Sequence, residues 1–268
     1  MEANKKTFVL CGDSFNYGIG CVNMHTQPYG VLVAKHFGWD LVRLARGSAS
    51  NYVIHLQGKY AARMNPKPHL VLLGTTSTDR IEWVATGEKL NHDGVKLEQV
   101  NYHLYPPHHE TPPCHDAPLP FHLQKNPIYK PKILSEQIIG ITEFLKLLRS
   151  GNKHGYYERM HTESVEKLQL IETYYMDIFD THIKYDYDTG VLMLAYMELK
   201  KLGIPTIIFS GDKRFENLVF EERDYFYQDW GRLTTLYPDT VNSMHTSEEG
   251  HADSAERLIA HLERYNFV

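Results

Sequence analysis

Four short apolar runs, each stopping at a turn of glycine or small polar residues, constrain the fold of this chain more than anything else in it. Thr7-Phe8-Val9-Leu10-Cys11 stops at Gly12. Asp40 to Ala45 stops at Arg46-Gly47. His69-Leu70-Val71-Leu72-Leu73 stops at Gly74, and Pro205-Thr206-Ile207-Ile208-Phe209 stops at Ser210-Gly211-Asp212. Such runs read as buried strands of a parallel sheet. Between them the apolar spacing becomes helical. Tyr29 to Phe37 carries it, and Asn51 to Met64 puts Val53, Leu56, Tyr60, Ala61 and Met64 on one face. Strand and helix alternate, which predicts an α/β fold of three layers, α/β/α, around a central parallel sheet.

Further helices are expected over Ser135 to Arg149, over Ser164 to Ile183, and through Val191, Ala195, Leu199 and Leu202 with Gly203 closing the last. A final helix is expected from Ser247 to Arg264, and a fifth strand near Leu233 to Tyr237. At 268 residues the chain reads as a single domain, 1–268. Its regular pattern breaks between Asn91 and Lys132. Eight of the 13 prolines fall between Pro106 and Pro131, so residues 91–132 are expected to form a lid-like loop. A helical insertion is expected over residues 135–185.

In open parallel sheets, ligands bind outside the carboxyl ends of the strands. Four of the expected strands end there in Gly12-Asp13-Ser14, Arg46-Gly47-Ser48, Gly74-Thr75-Thr76-Ser77 and Ser210-Gly211-Asp212. A serine on such a turn, at the start of a helix, has free backbone N–H groups near it to hold an oxyanion. To attack an ester it needs a base, normally a histidine. Gly-Asp-Ser alone is a common turn tripeptide, and Asp212 reads as a helix N-cap rather than a catalytic acid.

The order of three motifs resembles the SGNH (GDSL-type) hydrolases. Gly12-Asp13-Ser14-Phe15-Asn16-Tyr17-Gly18 is similar to that family's first block, Arg46-Gly47-Ser48-Ala49-Ser50-Asn51 to its second, and Met244-His245-Thr246-Ser247-Glu248-Glu249-Gly250-His251 to its last. The helical insertion before the fourth strand also resembles phage-encoded members. The resemblance implies a flavodoxin-like SGNH-hydrolase fold with Ser14 as nucleophile, Gly47 as an oxyanion donor and His245 as general base. Thr76 stands where the family has an oxyanion-donating Asn, and Ser77 follows it. Asn242 stands three residues before His245, where the family has Asp, so a Ser-His dyad or a displaced acid such as Asp239 stays open. His251 is the other candidate base, with packing or capping the commoner role at a helix start. The function implied is a serine esterase acting on a carboxylic ester, on a small molecule or an O-acylated glycan. The alternative is an SGNH-fold binding or virion-associated module with weakened turnover.

Bulk properties narrow the partners. The net charge of -5, from 28 basic and 33 acidic residues, argues against a general nucleic-acid binder. No stretch approaches the roughly 18 apolar residues of a membrane span. Met1 to Lys6 leads straight into the first strand without the features of a signal peptide. Cys11, Cys21 and Cys114 form no even framework and read as reduced thiols of a cytoplasmic protein, or of a virion-associated one if phage-encoded. His103, His108, His109, His115 and His122 crowd the proline-rich loop, but their spacing fits no standard zinc signature. No metal and no cofactor is expected, and the oligomeric state is left open.

Overall fold

The structure is a computed structural model that describes residues 6–47, 49–78, 82–83, 130–131, 180–239 and 245–268. In chain order these form β1 (Thr7–Cys11), α1 (Ser14–Tyr17), α2 (Tyr29–Phe37), β2 (Asp40–Arg43), α3 (Asn51–Ala61) and β3 (Leu70–Gly74). There follow β4 (Glu82–Trp83), β5 (Lys130–Pro131), α4 (Thr181–Lys201), β6 (Thr206–Ser210), two 3₁₀ turns, β7 (Tyr225–Tyr227), α5 (Trp230–Leu236) and α6 (Glu248–Arg264). Five strands make one sheet in the order β2-β1-β3-β6-β7, every neighbouring pair parallel. The short β4 and β5 pair separately and antiparallel.

The sheet is covered on both faces, which is why its strands show no polar alternation. Phe8, Leu10, Leu70, Leu72, Ile207 and Phe209 face one side, where α2 and α6 pack through Val33, Ala255, Leu258 and Leu262. Val9, Cys11, Val71, Leu73 and Ile208 face the other, against α3 and α4 through Val53, Ile54, Leu192, Ala195 and Leu199. Successive strand residues point to opposite faces, so each five-residue run feeds two cores at once. The three-layer α/β expectation is met.

Two expectations are corrected. The fifth strand is Tyr225–Tyr227, and the Leu233 to Tyr237 segment lies mostly in α5. Thr234 and Thr235 give that segment a strand-like composition, yet their hydroxyls donate back to the carbonyls of Trp230 and Gly231, 2.8 and 2.9 Å away. That four-residue back-bonding fits a helix. Asp229 starts α5 by accepting the Arg232 N–H, and buried Trp230 and Leu233 supply its inner face. The second correction concerns Ile183 and Val191, assigned above to separate helices. Both lie in α4, which starts where the Asp180 carboxylate accepts the His182 and Ile183 N–H groups. Gly190 sits inside α4 without breaking it. Gly203 follows the helix at φ +70°, in the left-handed region that favours glycine. The expected lid at 91–132 and most of the insertion at 135–185 lie outside the described residues.

Two glycines at strand ends share one neighbour. A Cβ on Gly12 would fall 2.4 Å from the Asn16 side chain, and one on Gly74 would fall 2.2 Å from it. Asn16 cannot retreat. It is fully buried, its Nδ2 donates to Asp13 at 3.0 Å, and its Oδ1 accepts from the Tyr29 hydroxyl at 2.6 Å. Gly74→Ala is therefore expected to destabilise the fold by about 3 kcal/mol or more, the upper range for overpacking a tight site. Urea denaturation would show it as a lower midpoint. An unchanged midpoint would mean that Asn16 is not held as described.

Candidate functional site

The carboxyl ends of β1, β2 and β3 are adjacent, because strand order reverses around β1. Their turns bring together Gly12-Asp13-Ser14, Arg46-Gly47 and Gly74 to Ser77. The first turn is pinned from both sides. The Gly12 N–H donates to Gln57 Oε1 of α3 at 2.7 Å, and the Gly12 carbonyl accepts from the Arg46 N–H at 3.0 Å. That second bond sets Gly47, the next residue, beside the Ser14 turn.

Ser14 opens α1, directly after its N-cap, Asp13, and is 6% exposed. The Asp13 carboxylate is buried and accepts three bonds from the Phe15, Asn16 and Thr76 groups among the described residues. Oδ1 takes the Phe15 N–H at 3.1 Å and Asn16 Nδ2 at 3.0 Å, while Oδ2 takes the Thr76 hydroxyl at 2.7 Å. A threonine hydroxyl has one proton. Here Thr76 commits it to Asp13, so the oxyanion role expected of Thr76 would require that bond to be given up. Ser77 is exposed at the rim. Thr75 faces the neighbouring strand end, its hydroxyl 2.6 Å from that of Ser210.

His245 arrives on the segment before α6. Pro238 and Thr246 form an antiparallel bridge, and the Asp239 N–H donates to the His245 carbonyl at 3.1 Å. The imidazole lies against the ring of Phe15, the residue after Ser14, with ring centroids 4.9 Å apart. Phe15 in turn stacks on Trp230 at 4.9 Å. Gly20 makes this approach possible, since a Cβ there would fall 2.0 Å from the Thr246 carbonyl oxygen. Among the described residues, the Ser14 hydroxyl and the His245 ring nitrogens share no hydrogen bond. Catalytic contacts of unliganded sites are often longer than in the reacting complex. Asn242, Ser48 and the histidine-rich loop with Cys114 lie outside the described residues.

His251 sits one turn into α6 and has no exposure. Its Nε2 lies 3.3 Å from the Ile19 carbonyl, and its ring is near-parallel to that of Tyr29, with centroids 6.1 Å apart. Burial drives its pKa down to about 4, with the nearby His245 adding to the fall. His251 is thus a neutral packing residue, in line with the commoner reading of its position. Asp212 is a cap as expected, accepting the Arg214 N–H at 2.9 Å. Cys11 and Cys21 are free thiols. Burial pushes the Cys21 thiol up to about 12 and that of Cys11 higher still, so neither supplies a thiolate near neutrality.

Sequence reasoning missed the polar residues behind the turns. Asn51, Gln57 and Asp188 are fully buried. Their signal was polar residues on helix faces that bury apolar neighbours, where a side chain must find partners. Two surface hollows lie elsewhere, one between α2 and α6 and one at the amino-terminal end of the sheet. Among the described residues, no group of three or more His, Cys, Asp or Glu is placed to hold a metal ion. No described helix is long and apolar enough to cross a membrane. In sequence comparisons the chain matches no protein-family model and no curated protein.

Proposed function

We propose that this protein is a serine esterase of the SGNH type, hydrolysing a carboxylic ester on a small molecule or an O-acylated glycan. The reading rests on one observation above others. A serine opening a helix after β1 and a glycine after β2 share adjacent strand ends, and a histidine ring packs against the residue following that serine. The strand order is that of flavodoxin-like folds, whose ligands sit at this reversal. Ser14 Oγ attacks the acyl carbon while His245 takes its proton. The Ser14 and Gly47 N–H groups stabilise the oxyanion. As that intermediate collapses, the bond to the leaving alcohol breaks and His245 returns the proton to it. Water, activated by His245, then cleaves the acyl-enzyme and restores Ser14.

A second reading is favoured by Thr76. Its proton is held by Asp13, and losing one oxyanion donor costs roughly 10²–10³ in rate. An SGNH-fold binding or virion-associated module that binds without efficient turnover would fit that geometry. A fluorophosphonate probe separates the two. The esterase is expected to gain one covalent adduct, mapped by mass spectrometry to Ser14 and absent from Ser14→Ala. A chain left unmodified at probe concentrations that saturate a control esterase would leave the binding module standing.

A further inference from the structure

Behind the Ser14 turn, five buried side chains form a continuous polar connection to α4. Asn51 clasps the backbone of Thr76 at two points. Its Oδ1 accepts the Thr76 N–H and its Nδ2 donates to the Thr76 carbonyl, both at 3.0 Å. The second Nδ2 proton goes to Asp188 Oδ2 of α4 at 2.9 Å, and Lys184, one helical turn earlier, pairs with Asp188 Oδ1. From Thr76 the connection continues through the hydroxyl to Asp13 Oδ2, and from Asp13 Oδ1 to the Phe15 N–H. Asn51 and Asp188 are 0% exposed, Asp13 3%, Thr76 8% and Lys184 9%.

We infer that Asn51 and Asp188 are positioning residues for Ser14, acting through Thr76 and Asp13. The inference rests on the esterase reading for its catalytic meaning, but the mechanical connection stands apart from it. The chemistry favours a rigid connection. Asn51 spends both protons and one lone pair on fixed partners, and its donor side faces an anion, so a flipped amide would set its oxygen against the carboxylate. The clasp fixes Thr76, whose hydroxyl then holds the Asp13 carboxylate in the orientation that caps α1. Ser14 is the first residue of that helix. The function of a side chain at position 76 is thereby to brace the nucleophile's turn.

The test uses Thr76→Val, Thr76→Ser, Asn51→Ala, Asp188→Asn and the double variant Thr76→Val/Asn51→Ala in the full chain. Two readouts are followed, the rate constant for fluorophosphonate labelling of Ser14 and hydrogen exchange of the Phe15 and Thr76 N–H groups. Thr76→Val, Asn51→Ala and Asp188→Asn are each expected to slow labelling about tenfold or more. They should also speed exchange at Phe15, with His69 N–H in β3's lead-in as an unaffected control. Thr76→Ser should restore both readouts. The double variant should lose no more than the worse single one, because both cut the same connection. Additive losses, or normal Phe15 exchange in Asn51→Ala and Asp188→Asn, would overturn the inference. If Asp188→Asn does not fold, Thr76→Val and Asn51→Ala decide alone. Were the parent itself unlabelled at Ser14, the esterase reading would fall, and the exchange data would still decide the connection.

Discussion

His245→Ala is expected to slow hydrolysis of an activated acetyl ester by roughly 10⁴–10⁶, the range seen when the base of a serine hydrolase is removed. The loss should fall on kcat, because a general base acts on the proton in the transition state rather than on ground-state binding. His245 also packs its ring against Phe15, so a urea midpoint is measured beside the rate to separate lost chemistry from lost stability. His251→Gln makes the contrast. His251 is fully buried behind Tyr29 and Trp230, so its loss should leave kcat within a few-fold of the parent. Steady-state kinetics on p-nitrophenyl acetate with both variants, after removal of the background rate by Ser14→Ala, would check this. An active parent whose His245→Ala variant keeps more than a tenth of its kcat would show that another group takes the Ser14 proton.

Stability is expected to decline as pH falls from about 6.5 to about 4, with His251 as the chief cause. A histidine titrates near 6.5 in the unfolded chain, while burial holds the folded His251 near 4. Between these values the unfolded state binds the extra proton and is favoured. The stabilisation from keeping His251 neutral is whole above pH 6.5, shrinks through the window, and is gone below pH 4. Its full size is on the order of 3 kcal/mol. His261 and His69 are also shifted downward by burial and act in the same direction. Asp212 is held below its ordinary value, despite partial burial, by bonds from Arg214, so its contribution is lost below this window. Urea midpoints at pH 7, 5.5 and 4.5 should fall in sequence for the parent and change less for His251→Gln, whose amide can still donate to Ile19. Equal slopes in the two proteins would remove His251 as the cause.

The strands and the candidate turns were legible for the same reason. A strand buried on both faces is a compact apolar word of about five residues, and the turn that ends it must be small or polar. Thr7–Cys11, Leu70–Gly74 and Thr206–Ser210 carry that pattern within a residue or so at each end. The fifth strand was hidden because Tyr225–Tyr227 is only three residues long and lies beside the threonine-rich α5, whose β-branched composition resembles a strand. The candidate site was legible only as far as its turns. Ser14, Gly47 and His245 could be picked from short motifs, while Asn51, Asn16 and Asp188 could not. Their importance comes from hydrogen bonds across 13 to 137 residues of sequence, which local spacing does not encode. The hydroxyl of Thr76 is a further case. Its place in the family resemblance implied an oxyanion role, and only the position of Asp13 reveals where its proton goes.

The sheet also imposes an order of assembly. β1, β2 and β3 are joined by connections of about thirty residues or fewer, whereas β6 must find β3 across about 130. Closing the longer loop costs roughly 1.3 kcal/mol more in chain entropy, and non-local parallel pairing is slow. Ser14, Gly47 and Thr76 lie on the half that leaves the ribosome first, and His245 lies beyond the last strand. On the esterase reading proposed above, Ser14 is therefore built early and left inert until the far end of the chain docks. During refolding, covalent capture of Ser14 should lag behind the first appearance of secondary structure and keep time with the closure of β3 on β6. On the same reading, topology alone would keep a half-made chain from premature acylation.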